Sequence, residues 1–316
     1  MVADEMHSPQ ESNRALSSEV EISVPGSIAN LGPGFDTLAV AVQLYLHIRV
    51  RVEPGHNELH FNFRGGKLDG ENYIERAFRF LARQRGGSFP SLSIEVNSEI
   101  PTRAGLGSSA AATVAGLRLY EAVGGRIPHQ ELLNTACALE RHPDNVAAAL
   151  LGGLTASCQL PHASVIALRL RWPESLGFIV LTPESPLSTS ASRDALPETV
   201  SRHDAVFNLQ RLALLLQTFQ SGDLSFLREA LQDRMHQPFR QNLVPGLQEA
   251  LSLEHPDLLG VCLSGAGPSV VAFAEQNFDG IADVLRTTFL RLGLTFTIRK
   301  IGAHLQCPDT VRAFPK

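Results

Sequence analysis

The chain has 316 residues, 44% of them hydrophobic and 19% charged, and 27 Lys and Arg stand against 32 Asp and Glu for a net charge of −5. That length accommodates about two domains of roughly 100–200 residues each. The absence of any basic run or stripe excludes nucleic acid as the main partner, because binding a phosphate backbone needs concentrated positive charge. A small anion needs only a few placed donors. The four cysteines, Cys137, Cys158, Cys262 and Cys307, form no Cys-x-x-Cys pair. They read as reduced thiols of a cytoplasmic protein, not as a zinc site or a disulfide framework. Residues 1–19 are polar, lack an apolar signal-peptide core and read as a disordered tail. No stretch approaches the roughly 18 apolar residues of a membrane span, so a soluble, non-membrane protein is expected.

In chain order, Val20–Val24 and Leu38–Val52 read as strands. Pro54-Gly55-His56-Asn57 reads as a turn and Glu58–Phe63 as the returning arm of a hairpin. A helix follows at about Asn72–Gln84, then a strand at Leu92–Val96. Ser108–Val123 is an alanine-dense helix ended by two glycines. Gln130–Arg141 and Pro143–Leu151 follow as helices, and Leu154–Cys158 and Val165–Leu170 as strands. Trp172-Pro173-Glu174-Ser175 is the best domain boundary, dividing the chain into 20–174 and 175–316. The second part shows a strand at Gly177–Thr182 and helices near Val200–Gln220, Asp223–Leu231 and Val244–Leu253. Strand, turn and strand cover Gly260–Ala274, followed by a helix at Phe278–Leu292 and a strand at Thr295–Ile301. Mixed helices and hairpins predict an α+β fold.

The strongest local signal is Pro101-Thr102-Arg103-Ala104-Gly105-Leu106-Gly107-Ser108-Ser109-Ala110-Ala111. Two glycines permit a tight turn and close approach of a ligand. The serines open a long helix whose free N–H groups and positive dipole end suit a phosphate. The bland alternative is a glycine turn with a serine N-cap. No Walker A run is present, which excludes a P-loop NTPase. Gly107-Ser108-Ser109-Ala110-Ala111 also approximates a nucleophile elbow, with His142 and Asp144 as base and orienter. An elbow leaves its strand directly, however, and here Pro101 and further loop residues intervene.

Glu140-Arg141-His142-Pro143-Asp144-Asn145 is the second constellation. Leu133, Ala136, Cys137 and Glu140 share one helix face, and a carboxylate ending an apolar face is costly to bury without a partner. A divalent cation shared with a serine hydroxyl would solve that; a side chain bent out to solvent would solve it too. Pro143 suits the first position of a helix, and Asn145 could be a local capping group. Val24–Asp36 is a turn-rich third stretch carrying Asn30 and Asp36. Leu263-Ser264-Gly265-Ala266-Gly267-Pro268-Ser269 is a fourth, small enough for backbone to pass close to a neighbour.

These four segments, in this order, resemble the galactokinase–homoserine kinase–mevalonate kinase–phosphomevalonate kinase (GHMP) superfamily over about Glu21 to Ile301. Pro25-Gly26-Ser27-Ile28-Ala29-Asn30-Leu31-Gly32-Pro33-Gly34-Phe35-Asp36 and His142-Pro143-Asp144-Asn145-Val146 are most similar to its homoserine kinase branch. The resemblance implies an N-terminal domain like domain 2 of ribosomal protein S5 and a ferredoxin-like C-terminal domain. It further implies ATP-dependent phosphorylation of the L-homoserine hydroxyl, a step of threonine biosynthesis, by an enzyme of a family that often forms homodimers. On that pattern Pro101–Ala111 bind ATP, and Ser109, with Ser108 as the alternative, holds Mg²⁺ with Glu140. Glu140, Ser109 and Asp36 would be the catalytic residues; Asn30, Asp36, His142, Asn145 and Gly265 would face homoserine, with Asp36 suited to binding its ammonium group more than to acting as a base. Arg193 and Arg240, or Arg234 in place of the latter, would read its carboxylate as a guanidinium does. Outside the family context each arginine reads as a solvated surface residue. Val24-Pro25-Gly26-Ser27 stands where the family more often has Pro-Ala-Thr-Ser, and Thr102-Arg103 add a charge to the loop. A mevalonate-pathway kinase, or a silent nucleotide-binding protein on the same fold, is the competing expectation.

Overall fold

The computed structural model describes residues 19–65, 70–161, 164–185 and 187–307. The tail expected over residues 1–19 therefore lies outside the described residues except for Glu19, which opens the first strand. Among the described residues, ten strands form two sheets. The first contains β1 (Glu19–Ala29), β2 (Leu38–His56), β3 (Leu59–Phe63), β4 (Pro90–Ser98), β5 (Leu154–Gln159) and β6 (Val165–Leu170). Its spine is the long β2, which pairs antiparallel with β1 along most of its length, with β5 through Leu38–Val40 and with β4 through Leu46–His56. The second sheet has the order β10-β7-β9-β8, from β7 (Gly177–Pro183), β8 (Gly260–Leu263), β9 (Val270–Ala274) and β10 (Phe296–Ile301). With helices between β7 and β8 and between β9 and β10, this is the βαββαβ ferredoxin-like arrangement.

The expected hairpin of β2 and β3 does not form. β4 inserts between them, antiparallel to β2 and parallel to β3. Burial accounts for the order: Leu92, Ile94 and Val96 of β4 are buried, whereas β3 alternates half-buried and exposed residues and suits an edge. The local turn residues are present, but the more apolar strand takes the position bonded on both sides. A second correction concerns β1, which continues through Pro25 and Gly26 to Ala29 with a register shift at that pair. The turn-rich stretch is thus half strand, with a bulge absorbing the proline.

Helix α1 (Tyr73–Gln84) is capped by the Asn72 side chain, which accepts from the Glu75 N–H at 3.2 Å. It packs on α2 (Ser108–Gly124), which is buried nearly all round. Phe78 sits there edge-on to Phe89 and Tyr120, with centroids at 4.7 and 5.5 Å. Full burial of such a side chain contributes about 1.5–3 kcal/mol. α3 (His129–Glu140) and α4 (Pro143–Leu151) complete the first half. The second half carries α5 (Thr189–Asp194), α6 (Arg202–Ser221), α7 (Leu227–Ala230), α8 (Gln237–Arg240), α9 (Leu247–Leu251) and α10 (Phe278–Arg291). The helix expected over Asp223–Leu231 is instead a 3₁₀ turn, Leu224–Phe226, followed by the single turn of α7. The short α5 and α8 have no sequence periodicity and went unforeseen.

One apolar cluster joins the two halves, from Val24 and Leu117 to Trp172, Phe219 and Phe273. The chain also returns to its first sheet after β10. The His304 N–H donates to Ala41 at 2.8 Å, and the Gly153 N–H donates to His304 at 2.7 Å. No described helix is long and apolar enough to cross a membrane.

Candidate active site

The loop after β4 turns through Gly105 and Gly107, both at positive φ, and enters α2 at Ser108. No side chain caps α2, which leaves its first N–H groups for a ligand. Gly105 lies against the Leu263–Ser269 turn so closely that a Cβ would meet the Ser264 carbonyl oxygen at 2.3 Å. The Ser264 hydroxyl donates to the Gly105 carbonyl at 2.7 Å, and the Ser269 N–H donates to Ala104 at 3.2 Å. The fourth segment of the sequence is therefore a backbone clamp on the first. Pro101, Thr102, Arg103 and Ala104 line a groove against Thr182–Glu184, Thr297 and Arg299, on the second-sheet side of the loop.

Glu140 turns inward, not out to solvent, and its side chain is 12% exposed. Its Oε2 accepts from the Ser109 hydroxyl at 2.8 Å, and its Oε1 from the Thr113 hydroxyl at 2.7 Å and the Arg76 guanidinium at 3.2 Å. Of the two loop serines, Ser109 is the one bonded to the carboxylate. Sequence reasoning missed Thr113 and Arg76. Thr113 was findable, because it lies one helical turn beyond Ser109 on the same face of α2; Arg76 carried no such signal. Among the described residues no group of three His, Cys, Asp or Glu could hold a metal. One carboxylate and one hydroxyl still fit Mg²⁺, which takes few protein ligands and completes its shell with water and phosphate oxygens. The Ser109–Glu140 bond also leaves the serine no histidine partner, which removes the nucleophile-elbow reading.

A second group gathers where the β1–β2 link, the α3–α4 turn and α5 meet. Asp36 Oδ1 accepts from Arg193 Nη2 at 2.6 Å, and His142 Nδ1 accepts from the same Nη2 at 2.9 Å. The Asp36 and Arg193 side chains are 31% and 30% exposed, so both can be reached by a small ligand. The Arg193 Nε–H is buried with no partner among the described residues. Burial, followed by the Arg193 charge, pushes the His142 imidazole below its usual range, which keeps it neutral. Asn30 accepts from the Asp36 N–H at 3.1 Å and donates to the Gly265 carbonyl at 3.0 Å.

Three further residues expected at the substrate lie deeper or to the side. Arg240 is buried at 1% exposure and donates to the Gly265 carbonyl at 3.0 Å, to Ser192 at 3.3 Å and to His236 Nδ1 at 3.1 Å. Burial, and next the Arg193 charge, lowers its pKa to about 10. Arg234 faces α6, bonded to His203 and packed over Phe207. Asn145 accepts from the Ser27 hydroxyl at 2.8 Å beneath Gly107, joining the two groups from below. Its neighbour Asp144 is fully buried, and that burial, with Asp36 nearby, raises its pKa to about 6.

Known proteins resemble this chain in sequence and fold. Residues 72–153 match the family model of the GHMP kinases N terminal domain, and residues 215–290 that of the GHMP kinases C terminal. Homoserine kinase of Solibacter usitatus is 39% identical over 87% of this chain and 91% of its own length. That of Moorella thermoacetica is 39% identical over 89% and 96%. The chain belongs to the homoserine kinase family. The crystal structure of homoserine kinase from Cytophaga hutchinsonii, 24% identical, superposes with a TM-score of 0.82 over 94% of this chain and 98% of that one, the same fold.

Proposed function

We propose that this chain transfers the γ-phosphoryl group of ATP to the side-chain hydroxyl of L-homoserine, giving O-phospho-L-homoserine. The observation that carries the reading is the accessible Asp36–Arg193 pair, a carboxylate and a guanidinium side by side. Its charges complement the α-ammonium and α-carboxylate of a free amino acid, and a guanidinium matches a carboxylate bidentately. A mevalonate-type acceptor has no ammonium to place on Asp36. The acceptor group is also physically coupled to the phosphate loop: His142 follows Glu140 by two residues, and Asn145 underlies Gly107.

Phosphoryl transfer through a loose transition state asks mainly for positioning and charge neutralisation. The free N–H groups at the start of α2 would hold the phosphates, with Gly105 and Gly107 keeping the backbone close. Mg²⁺ held by Ser109 and Glu140 would neutralise charge on the β- and γ-phosphates. Asp36, Arg193 and Asn30 would fix the amino-acid end so that the hydroxyl points in line. Asp36 bonds to Arg193, and no lysine touches it among the described residues, which fits a binding role more than that of a strong general base. A coupled ADP-release assay with homoserine and mevalonate, with and without Mg²⁺, tests the reading. Release is expected only with homoserine and Mg²⁺ together; turnover of mevalonate at a comparable kcat/KM would overturn it.

A further inference from the structure

The link that carries Asn30 and Asp36 is held in an unfavourable backbone conformation. Asn30, Leu31 and Asp36 have φ of +71°, +47° and +52°, and Gly32 between them has +73°. Non-glycine residues in that region cost about 1–3 kcal/mol each and persist only where the surroundings over-determine them. The surroundings come from the other half of the molecule, in the segment between α7 and α8. Its Leu231 carbonyl oxygen would meet a Cβ on Gly32 at 2.1 Å. His236, fully buried, bonds through Nε2 to the Gly32 carbonyl oxygen at 2.8 Å. Its Nδ1 accepts from Arg240 Nη1 at 3.1 Å, since a guanidinium only donates. The remaining Nε2–H is therefore the donor to Gly32, and burial holds the ring neutral. The imidazole also stacks on Phe35 at 5.2 Å, immediately before Asp36, and Phe35 lies under both Arg193 and Arg240. Asp233 fixes His236 in turn, accepting from the N–H groups of Met235, His236 and Gln237 and from Asn208 Nδ2, all within 2.9 Å.

We propose that His236 is a positioning residue for the amino-acid acceptor, its Nε2–H bond to Gly32 and its stacking on Phe35 holding Asn30 and Asp36 in their binding conformation. This rests on the homoserine reading above. Two isosteres separate its two bonds: His236→Gln keeps a donor near Nε2, and His236→Asn keeps only an acceptor near Nδ1. KM for homoserine, KM for ATP, kcat and the Tm increment given by homoserine are measured for both variants and the wild type. His236→Asn is expected to raise KM for homoserine roughly ten- to hundredfold, as loss of one buried hydrogen bond would. KM for ATP should stay within about twofold, and the homoserine-induced Tm increment should shrink. His236→Gln should recover most of the loss. Equal effects on both KM values, a Gln variant as impaired as Asn, or unfolding of both variants would make His236 a plain core residue. A wild-type chain that leaves homoserine untouched would instead overturn the acceptor reading itself.

Discussion

The two halves of the site are built in opposite ways. On the proposed phosphate side, Arg76, the loop, Ser109, Thr113 and Glu140 all come from α1 to α3, and the second half adds the clamp through Ser264 and Ser269 and the far wall of the groove beside Pro101–Ala104. On the proposed acceptor side, Asn30 and Asp36 come from the β1–β2 link, His142 from the α3–α4 turn, Arg193 from α5, and the supports His236 and Arg240 from the N-cap and last residue of α8. The first is a local device that one helix terminus can provide. The second exists only when both halves are packed, and substitutions far from it in sequence can reshape it. On the proposed reading, chemistry common to many phosphotransferases resides in contiguous chain, and acceptor choice resides where distant segments meet.

The largest expected effect breaks the phosphate side alone. Glu140→Ala removes the acceptor of both Ser109 and Thr113 and the carboxylate proposed to hold Mg²⁺. It should lower kcat on the order of 10²–10³-fold or more, the scale on which preorganised charge stabilisation is lost. Binding of homoserine, followed as a thermal shift, should survive. A near-normal kcat would sink the metal assignment, and lost homoserine binding would show the two sides to be one.

Asp144 probes the boundary between them. Its folded pKa of about 6 stands above the ordinary 3.8 because burial, and after it Asp36, disfavour the charged form. The folded state then holds a proton that the unfolded state has released. This contribution to stability is complete below about pH 4 and is lost as pH rises to about 6. Asp144→Asn removes the dependence, so its stability relative to wild type should improve across that window by up to roughly 3 kcal/mol. Chemical denaturation of both proteins at pH 4 and pH 7 measures it; parallel curves would mean that Asp144 is ionised and satisfied throughout.

Legibility followed the same division. The phosphate loop could be read because its chemistry is written in adjacent residues: two glycines, two serines and the start of an apolar helix. Glu140 was legible as a carboxylate at the end of an apolar face, although only the fold shows it turned inward to Ser109. Arg76 was not, since its approach to Glu140 depends on how α1 packs across α2. The hairpin expectation failed for a related reason. Pro54-Gly55-His56-Asn57 is a genuine local turn signal, but the pairing of β4 with β2 is non-local and more apolar, and it won. Arg240 shows the limit most clearly, because guanidinium chemistry is visible in sequence and its complete burial is not. His236 lay unremarked beside it in His236-Gln237-Pro238-Phe239-Arg240, because a carbonyl two hundred residues away has no sequence signature.

Arg193 sharpens the comparison from the acceptor side. Its guanidinium bonds Asp36 and His142 while remaining partly open to solvent, so part of its attraction is screened and its removal is milder than that of Glu140. Arg193→Ala should raise KM for homoserine roughly tenfold, leave KM for ATP nearly unchanged and lower kcat less than KM rises, the pattern of lost ground-state binding. Arg193→Lys should restore only part of the affinity, because an ammonium keeps the charge but not the paired donors that match a carboxylate. Equal changes in both KM values would move Arg193 out of the amino-acid pocket and into the general support of the interface between the halves. Asp36 would then be left as the only charged group proposed to recognise the acceptor.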